Sequence, residues 1–457
     1  MLRLTWVQPE DLLGHELRQA EEDGREPSAV AARWAAARGP LAPRRAGASP
    51  EPASPYLRLL ANDLLDELAD LPSGLAEHEP TDLERIKALC PAWPRSRTTD
   101  ARAAGPASEA RLEAAWLGRA AGCLLGKPVE KLPLDAIRQL ARATGNWPLS
   151  TWFTAHGVPE DLLAAHPWNR RSATTSLAEN IDGMPEDDDL NYPLLNLLLL
   201  ARHGRAFTTA DVARLWLDEI PAGRTFTAER VAYRNLLSGI EPPYTARHRN
   251  PFREWIGALI RADVHGWTNP GDPAAAAEQA HRDATLTHTA NGVYAAMFTA
   301  ATIAEAATGA HDVHHCLTTG LTVVPPASRL ARAVRQAIRL AGSTRDFEAV
   351  VDELHAVHGT YHWVHAVPNT ALIAAALTHA DGDFTGSVCG AVSGGWDTDS
   401  NGATAGSVAG LLAGHPRRLP DRWTTPLKNR LATSVGDFNG IGFDALAHLT
   451  HRETHRS

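Results

Sequence analysis

The stretch Gly394-Gly395-Trp396-Asp397-Thr398-Asp399-Ser400-Asn401-Gly402 decides how the rest of the chain is read. A glycine pair leads into two carboxylates two residues apart, and the residues beyond are small. Glycine then recurs at every fourth position: Gly402, Gly406, Gly410 and Gly414. Residues four apart share one face of a helix, so this spacing predicts a helix with one nearly bare face, open to close approach by another helix. Two chemistries are open to the acids in the turn that enters it. Asp399 or Ser400 can cap the helix by accepting from its first free backbone amides. Alternatively, i and i+2 carboxylates on extended backbone point the same way, and hard oxygens at close range suit Mg²⁺.

A second segment carries the same spacing. Gly118, Gly122 and Gly126 lead into Lys127-Pro128-Val129-Glu130. The simplest arrangement packs the two glycine faces together. Pro128 ends the helix, which leaves Glu130 in the loop beyond, near Asp397 and Asp399. Taken alone, Glu130 also reads as a solvated surface acid. The third segment, Pro185-Glu186-Asp187-Asp188-Asp189-Leu190-Asn191-Tyr192, opens the apolar run Leu194 to Leu200. Successive acids repel one another unless something positive sits among them, although acids at a helix start also gain from its dipole. The apolar run is expected to be buried, so its acidic mouth opens into the fold, where a cation is favoured.

The chain has 457 residues, 44% hydrophobic and 21% charged, as expected of one large globular domain or two to three average ones. A formal charge of −9 argues against a nonspecific nucleic-acid or anionic-membrane surface. Cys90, Cys123, Cys316 and Cys389 form no CxxC pair, which favours reduced thiols in the cytoplasm over a disulfide frame or a zinc site. Met1 to Gly24 lacks a signal-peptide core, and no apolar run approaches the roughly 20 residues a membrane span needs. From 109 onward the apolar spacing is helical and alternating β-branched runs are nearly absent, so 106–457 is expected to be an all-α domain. Residues 1–105 read as a helical N-terminal extension. It has two short helices within 9–38, the second with Ser28 placed to cap it, and one or two more within 56–92. Pro/Ala/Gly-rich 39–55 and polar 94–108 read as linkers. The extension carries no chemical motif, which suits a docking arm or a partner-binding element.

Taken in this order, a glycine helix ending in Glu130, an Asp-Asp helix start and an Asp-x-Asp-Ser helix start resemble the ADP-ribosylglycohydrolase family. Those are all-α enzymes with a binuclear magnesium centre and Gly-Asp-x-x-Gly-x-x-x-Glu, Thr-Asp-Asp-Thr and Gly-Gly-Asp-Thr-Asp-Thr segments. The resemblance runs over about 110–450, and the third segment is its most specific part. It implies two Mg²⁺ ions, with Mn²⁺ able to substitute. The metal ligands it implies are Asp187, Asp188, Asp189, Asp397, Asp399 and Ser400, with Asp188 and Asp189 preferred within the acidic run. A register one earlier, Glu186-Asp187-Asp188, stays open. Glu130, Asp188 and Asp399 take the catalytic roles. Gly394, Gly395 and Trp396 would contact substrate, the tryptophan by stacking on a ring. The segment around Thr287-His288-Thr289-Ala290-Asn291 also looks like a family feature, with the threonines as helix caps and His288 and Asn291 as cleft residues. Tyr361-His362-Trp363-Val364-His365 reads as core packing more than as a ligand wall. Three positions depart from the family pattern: Cys123 stands for an aspartate, Asp187 for a ligating threonine, and Trp396 enlarges the last motif.

The function this implies is metal-dependent cleavage of the glycosidic bond of an ADP-ribosylated protein side chain or small molecule, releasing ADP-ribose. Such cleavage passes through an oxocarbenium-like state that carboxylates and cations can stabilise. The departures keep three alternatives open: hydrolysis of a nucleotide-like metabolite, noncatalytic sensing of ADP-ribose, and a structural helical protein whose acids are all caps. No nucleic acid or membrane partner is expected.

Overall fold

A computed structural model describes residues 3–42, 49, 51–95 and 108–455. Among them every regular element is helical; extended backbone contributes only isolated bridges such as Trp255 with His365. The core is built on two helices, Glu109–Gly126 and Thr398–Ala413, which run antiparallel in close contact. Gly118 faces Gly406, Gly122 faces Gly402, Gly126 faces Thr398, and Gly410 faces Ala114. At each of these positions a Cβ would run into the backbone of the facing helix. The bare faces expected from the four-residue spacing are therefore the contact itself. The Thr398 hydroxyl donates to the Gly126 carbonyl at 2.8 Å and pins the end where both acidic segments lie.

This antiparallel pairing places the functional ends together. The chain leaving Gly126 reaches Glu130 through one turn of 3₁₀ helix, Lys127–Val129, while the chain entering Thr398 brings Asp397. Helix Asp188–His203 starts at the same end. Arg119, fully buried on the Glu109–Gly126 helix, fixes that start. It donates to the Asp189 carbonyl at 2.8 Å and carboxylate at 3.1 Å, and to Asp263 at 3.0 Å. The buried helices Ala290–Ala306 and Ala366–His379 pack against Thr398–Ala413.

The N-terminal segment forms helices Pro9–Glu22, Ser28–Ala36, Pro55–Asp70 and Leu83–Leu89. Ser28 does not cap the second one. It is the first helical residue, and its hydroxyl donates to Glu26 at 2.7 Å instead. Buried polar contacts hold these helices to the rest of the chain. Arg253 pairs with Glu16 at 2.7 Å and Asp23 at 2.6 Å, Arg329 with Glu79 at 2.6 Å, and Gln19 donates to Glu254 at 3.0 Å. Buried charges are tolerated only when paired in this way. Residues 43–48, 50 and 96–107, which fall in the expected linkers, lie outside the described residues. Among the described residues no helix is long and apolar enough to cross a membrane.

Candidate active site

A cavity of about 410 Å³ opens where the three acidic segments meet, a size suited to a small ligand. Its floor is formed by Asp187, Asp188 and Asp189 from one segment, Asp397, Asp399 and Ser400 from another, and Glu130. Glu130, Asp397 and Asp399 each offer an oxygen within 4.8 Å of the others. Glu130 is held from two sides: the Asn169 amide donates to one oxygen at 2.6 Å and Lys131 pairs with the other at 2.6 Å.

The capping alternatives resolve residue by residue. Asp397 occupies the N-cap position of its helix but makes no side-chain cap bond. Its backbone N–H is taken by the Asn369 amide oxygen at 3.1 Å. Asp399 accepts from the adjacent Ser400 amide, at 3.1 Å, and the Ser400 hydroxyl donates across to Asp189 at 3.1 Å. These side chains link two acidic segments. Asp187 is the cap, accepting from the Asp189 amide at 2.9 Å. Asp188 and Asp189 form the first turn of helix Asp188–His203. Glu186 lies at the cavity wall, occupied by Arg224 at 2.7 Å and Asn191 at 3.1 Å. Thr287 and Thr289 make no side-chain cap bond either; the Thr287 hydroxyl accepts from Arg261 at 2.8 Å.

The site carries strong electrostatic strain. Burial, and then the neighbouring carboxylates, pushes Asp188 and Asp397 well above the ordinary carboxylate range. Asp189 is driven the same way by burial, although Arg119 opposes it. Asp399 is raised to about 7 by burial and by the Glu130 and Asp187 charges. Asp187 goes the other way. Burial opposes its charge, but the Lys127 ammonium in direct contact wins and holds it low. Burial also works against the Lys127 charge, which Asp187 and its neighbours more than restore. The Cys123 thiol is held well up by burial and the surrounding carboxylates, which favours its protonated form. Carboxylates and a hydroxyl, crowded and short of positive charge, form the donor set of a hard divalent cation. The residues present therefore fit a hard divalent cation of the kind that the resemblance implies.

Five expected contact residues lie elsewhere. His288 is fully buried under the site beside Thr287 and Glu229, and burial holds its imidazole neutral. Asn291 is also buried. Its amide donates to Glu79 at 2.8 Å and Glu254 at 3.1 Å, and its oxygen accepts from Leu330, so it ties the N-terminal segment down. Trp396 adopts φ +56°, and its ring stacks on His355 at 4.0 Å instead of facing the cavity. Gly394 gives its carbonyl to the same histidine at 2.8 Å, and Gly395 supplies the positive φ of +79° that the turn needs. The aromatic wall comes from Trp6, Phe226, Trp255 and Trp363. Sequence reasoning missed all of these but Trp363, which it placed in the core. It also passed over Asn169, which no local pattern marks, and Lys127, one of only four lysines in the chain.

An all-α scaffold that gathers six carboxylates from three segments around one cavity defines a candidate divalent-metal centre. A model of the ADP-ribosylglycohydrolase family matches residues 104–455, and the chain belongs to that family. Members are typically metal-dependent. Among solved structures the chain is similar to an ADP-ribosylglycohydrolase-related protein complex, at 22% identity and a TM-score of 0.47, over 76% of this chain and 98% of that one. No curated protein matches.

Proposed function

We propose that the chain is a metal-dependent glycosidase that cleaves the bond between ADP-ribose and a protein side chain or small molecule. Asp188, Asp189, Asp397, Asp399 and Ser400 hold Mg²⁺ or Mn²⁺. When bound, such a cation supplies positive charge to sugar hydroxyl oxygens and makes water more acidic. Glu130, steadied by Asn169 and Lys131, positions water or takes its proton, the role carboxylates serve in related sugar hydrolysis. Trp255 and Trp363, both on the cavity wall, offer faces on which a nucleobase stacks. Arg171 at the same cavity suits a diphosphate. The observation that carries this reading is the convergence of Glu130, Asp397 and Asp399 within 4.8 Å.

The test is incubation of the purified protein and Mg²⁺ with ADP-ribosyl-arginine, ADP-ribosyl-serine and O-acetyl-ADP-ribose, followed by product analysis. Release of ADP-ribose from at least one is expected. Asp397→Ala/Asp399→Ala is expected to abolish it while the protein still melts cooperatively. Full activity in the double variant refutes the site. Binding of ADP-ribose without release from any conjugate makes the protein a sensor.

A further inference from the structure

Two groupings of possible metal-ligand atoms draw on this cavity's acidic floor, the second reaching down to the fully buried Cys123. Glu130, Asp397 and Asp399 form one; Cys123, Asp187 and Asp189 form the other. They differ in what they already contain. In the second, Lys127 reaches in from the end of the Glu109–Gly126 helix and its ammonium rests directly on the Asp187 carboxylate. Lys127 is itself 8% exposed and Asp187 equally so, which makes this a buried pair and not a surface contact. The other Asp187 oxygen is committed to the Asp189 amide at 2.9 Å. Asp189 is answered by Arg119 at 3.1 Å. The third member, Cys123, is a soft thiol, a poor donor for a hard cation.

The first grouping is different. Glu130 pairs with Lys131. Asp397 and Asp399, 6% and 7% exposed and lining the cavity, have no ion-pair partner among the described residues, and neither does Asp188. The floor is thus divided: Asp187 and Asp189 are neutralised by the chain's own cations, whereas Asp188, Asp397 and Asp399 line the cavity with no ion-pair partner among the described residues.

We infer that the Lys127 ammonium serves as a built-in cation in place of one divalent ion, so that this cavity takes a single Mg²⁺ or Mn²⁺, held by Asp188, Asp397 and Asp399. The inference rests on the metal-centre reading above, narrows its ligands by leaving out Asp189 and the Ser400 hydroxyl that donates to it, and departs from the pair of ions that the resemblance implies. Two of the three positions that depart from the family pattern, Cys123 and Asp187, belong to the half that Lys127 fills. An ammonium is a fixed monovalent charge with three donors. It balances carboxylates and can orient a ligand hydroxyl, but it does not exchange with the buffer. Chelation therefore removes one ion and leaves that half of the site intact.

The test counts Mn²⁺ on the folded chain. It is run in a His311→Ala/His315→Ala background, because Glu305, His311 and His315 make a further ligand grouping at the surface. Equilibrium dialysis with metal analysis is expected to give one Mn²⁺ per chain. Its electron paramagnetic resonance is expected to show the hyperfine pattern of an isolated ion. Lys127→Met is expected to raise the count to two and to bring the broadened spectrum of a coupled pair. Two ions in the presence of Lys127 overturn the inference and leave the metal centre standing. No bound ion overturns the metal centre itself. If Lys127→Met fails to fold, the count and spectrum of the Lys127 protein still decide between one ion and two.

Discussion

Replacing Gly122 by alanine tests the helix contact on which the site is built. A Cβ at Gly122 would fall on the Gly402 carbonyl, with the Ala403 nitrogen 3.0 Å away. Both obstacles are backbone, so no side chain can rotate out of the way and the helices must separate. Overpacking of this kind costs about 1–3 kcal/mol, and the upper end applies where the neighbour cannot yield. Alanine returns up to about 1 kcal/mol of helix propensity. The net is a loss of about 2 kcal/mol, or a Tm drop of about 3 °C for a domain of this size. Separation also shifts Asp399, one turn from the contact, so Mn²⁺ affinity measured by calorimetry is expected to weaken at least tenfold, about 1.4 kcal/mol. The control is Gly342→Ala. It makes the same chemical change in helix Arg329–Ser343, where nothing lies within 4 Å of the added carbon, and it is expected to be neutral or slightly stabilising. A Gly122→Ala protein that melts and binds metal like Gly342→Ala would refute the packing argument.

Arg119→Met strands two buried carboxylates, Asp189 and Asp263, and is expected to cost about 3–5 kcal/mol in chemical denaturation; a loss below about 1 kcal/mol contradicts the pairing. Asp399, raised to about 7, stabilises the metal-free fold in its protonated form. That contribution is full below the unfolded carboxyl range and is lost as pH rises towards 7. In chelator, the Tm of the unmodified protein is therefore expected to fall between about pH 4 and 7 relative to Asp399→Asn, and parallel curves would argue against it. Trp363→Ala is expected to raise KM for an ADP-ribosyl substrate about tenfold through lost stacking, whereas Trp396→Phe leaves KM unchanged because that ring faces His355. The opposite ranking would reinstate Trp396 as a contact residue.

The helical class and the central contact were legible because their cause is local. Glycine every fourth residue can only make a bare stripe, and two such stripes in one chain have an obvious use. The acids at 187–189, 397 and 399 were legible for a related reason, since repelling charges beside a buried helix need an answer. What escaped depends on partners that spacing does not encode. Asn291 and His288 looked like cleft residues, yet they are consumed by Glu79, Glu254 and Thr287. Trp396 looked like a stacking platform, but a positive φ in the Gly395-Trp396 turn directs the ring to His355. Lys127 drew no reading of its own, and only the fold shows its ammonium turned into the acid cluster. Trp6 joins the cavity from the N-terminal segment, a long-range contact with no signature in its own neighbours.

Anomalous diffraction from crystals grown with Mn²⁺ addresses the metal centre most directly. The expected result is a peak in the cavity about 2.1 Å from carboxylate oxygens of Asp188, Asp397 and Asp399. A cavity without a peak, in crystals where Mn²⁺ binds only at the surface, would contradict the account.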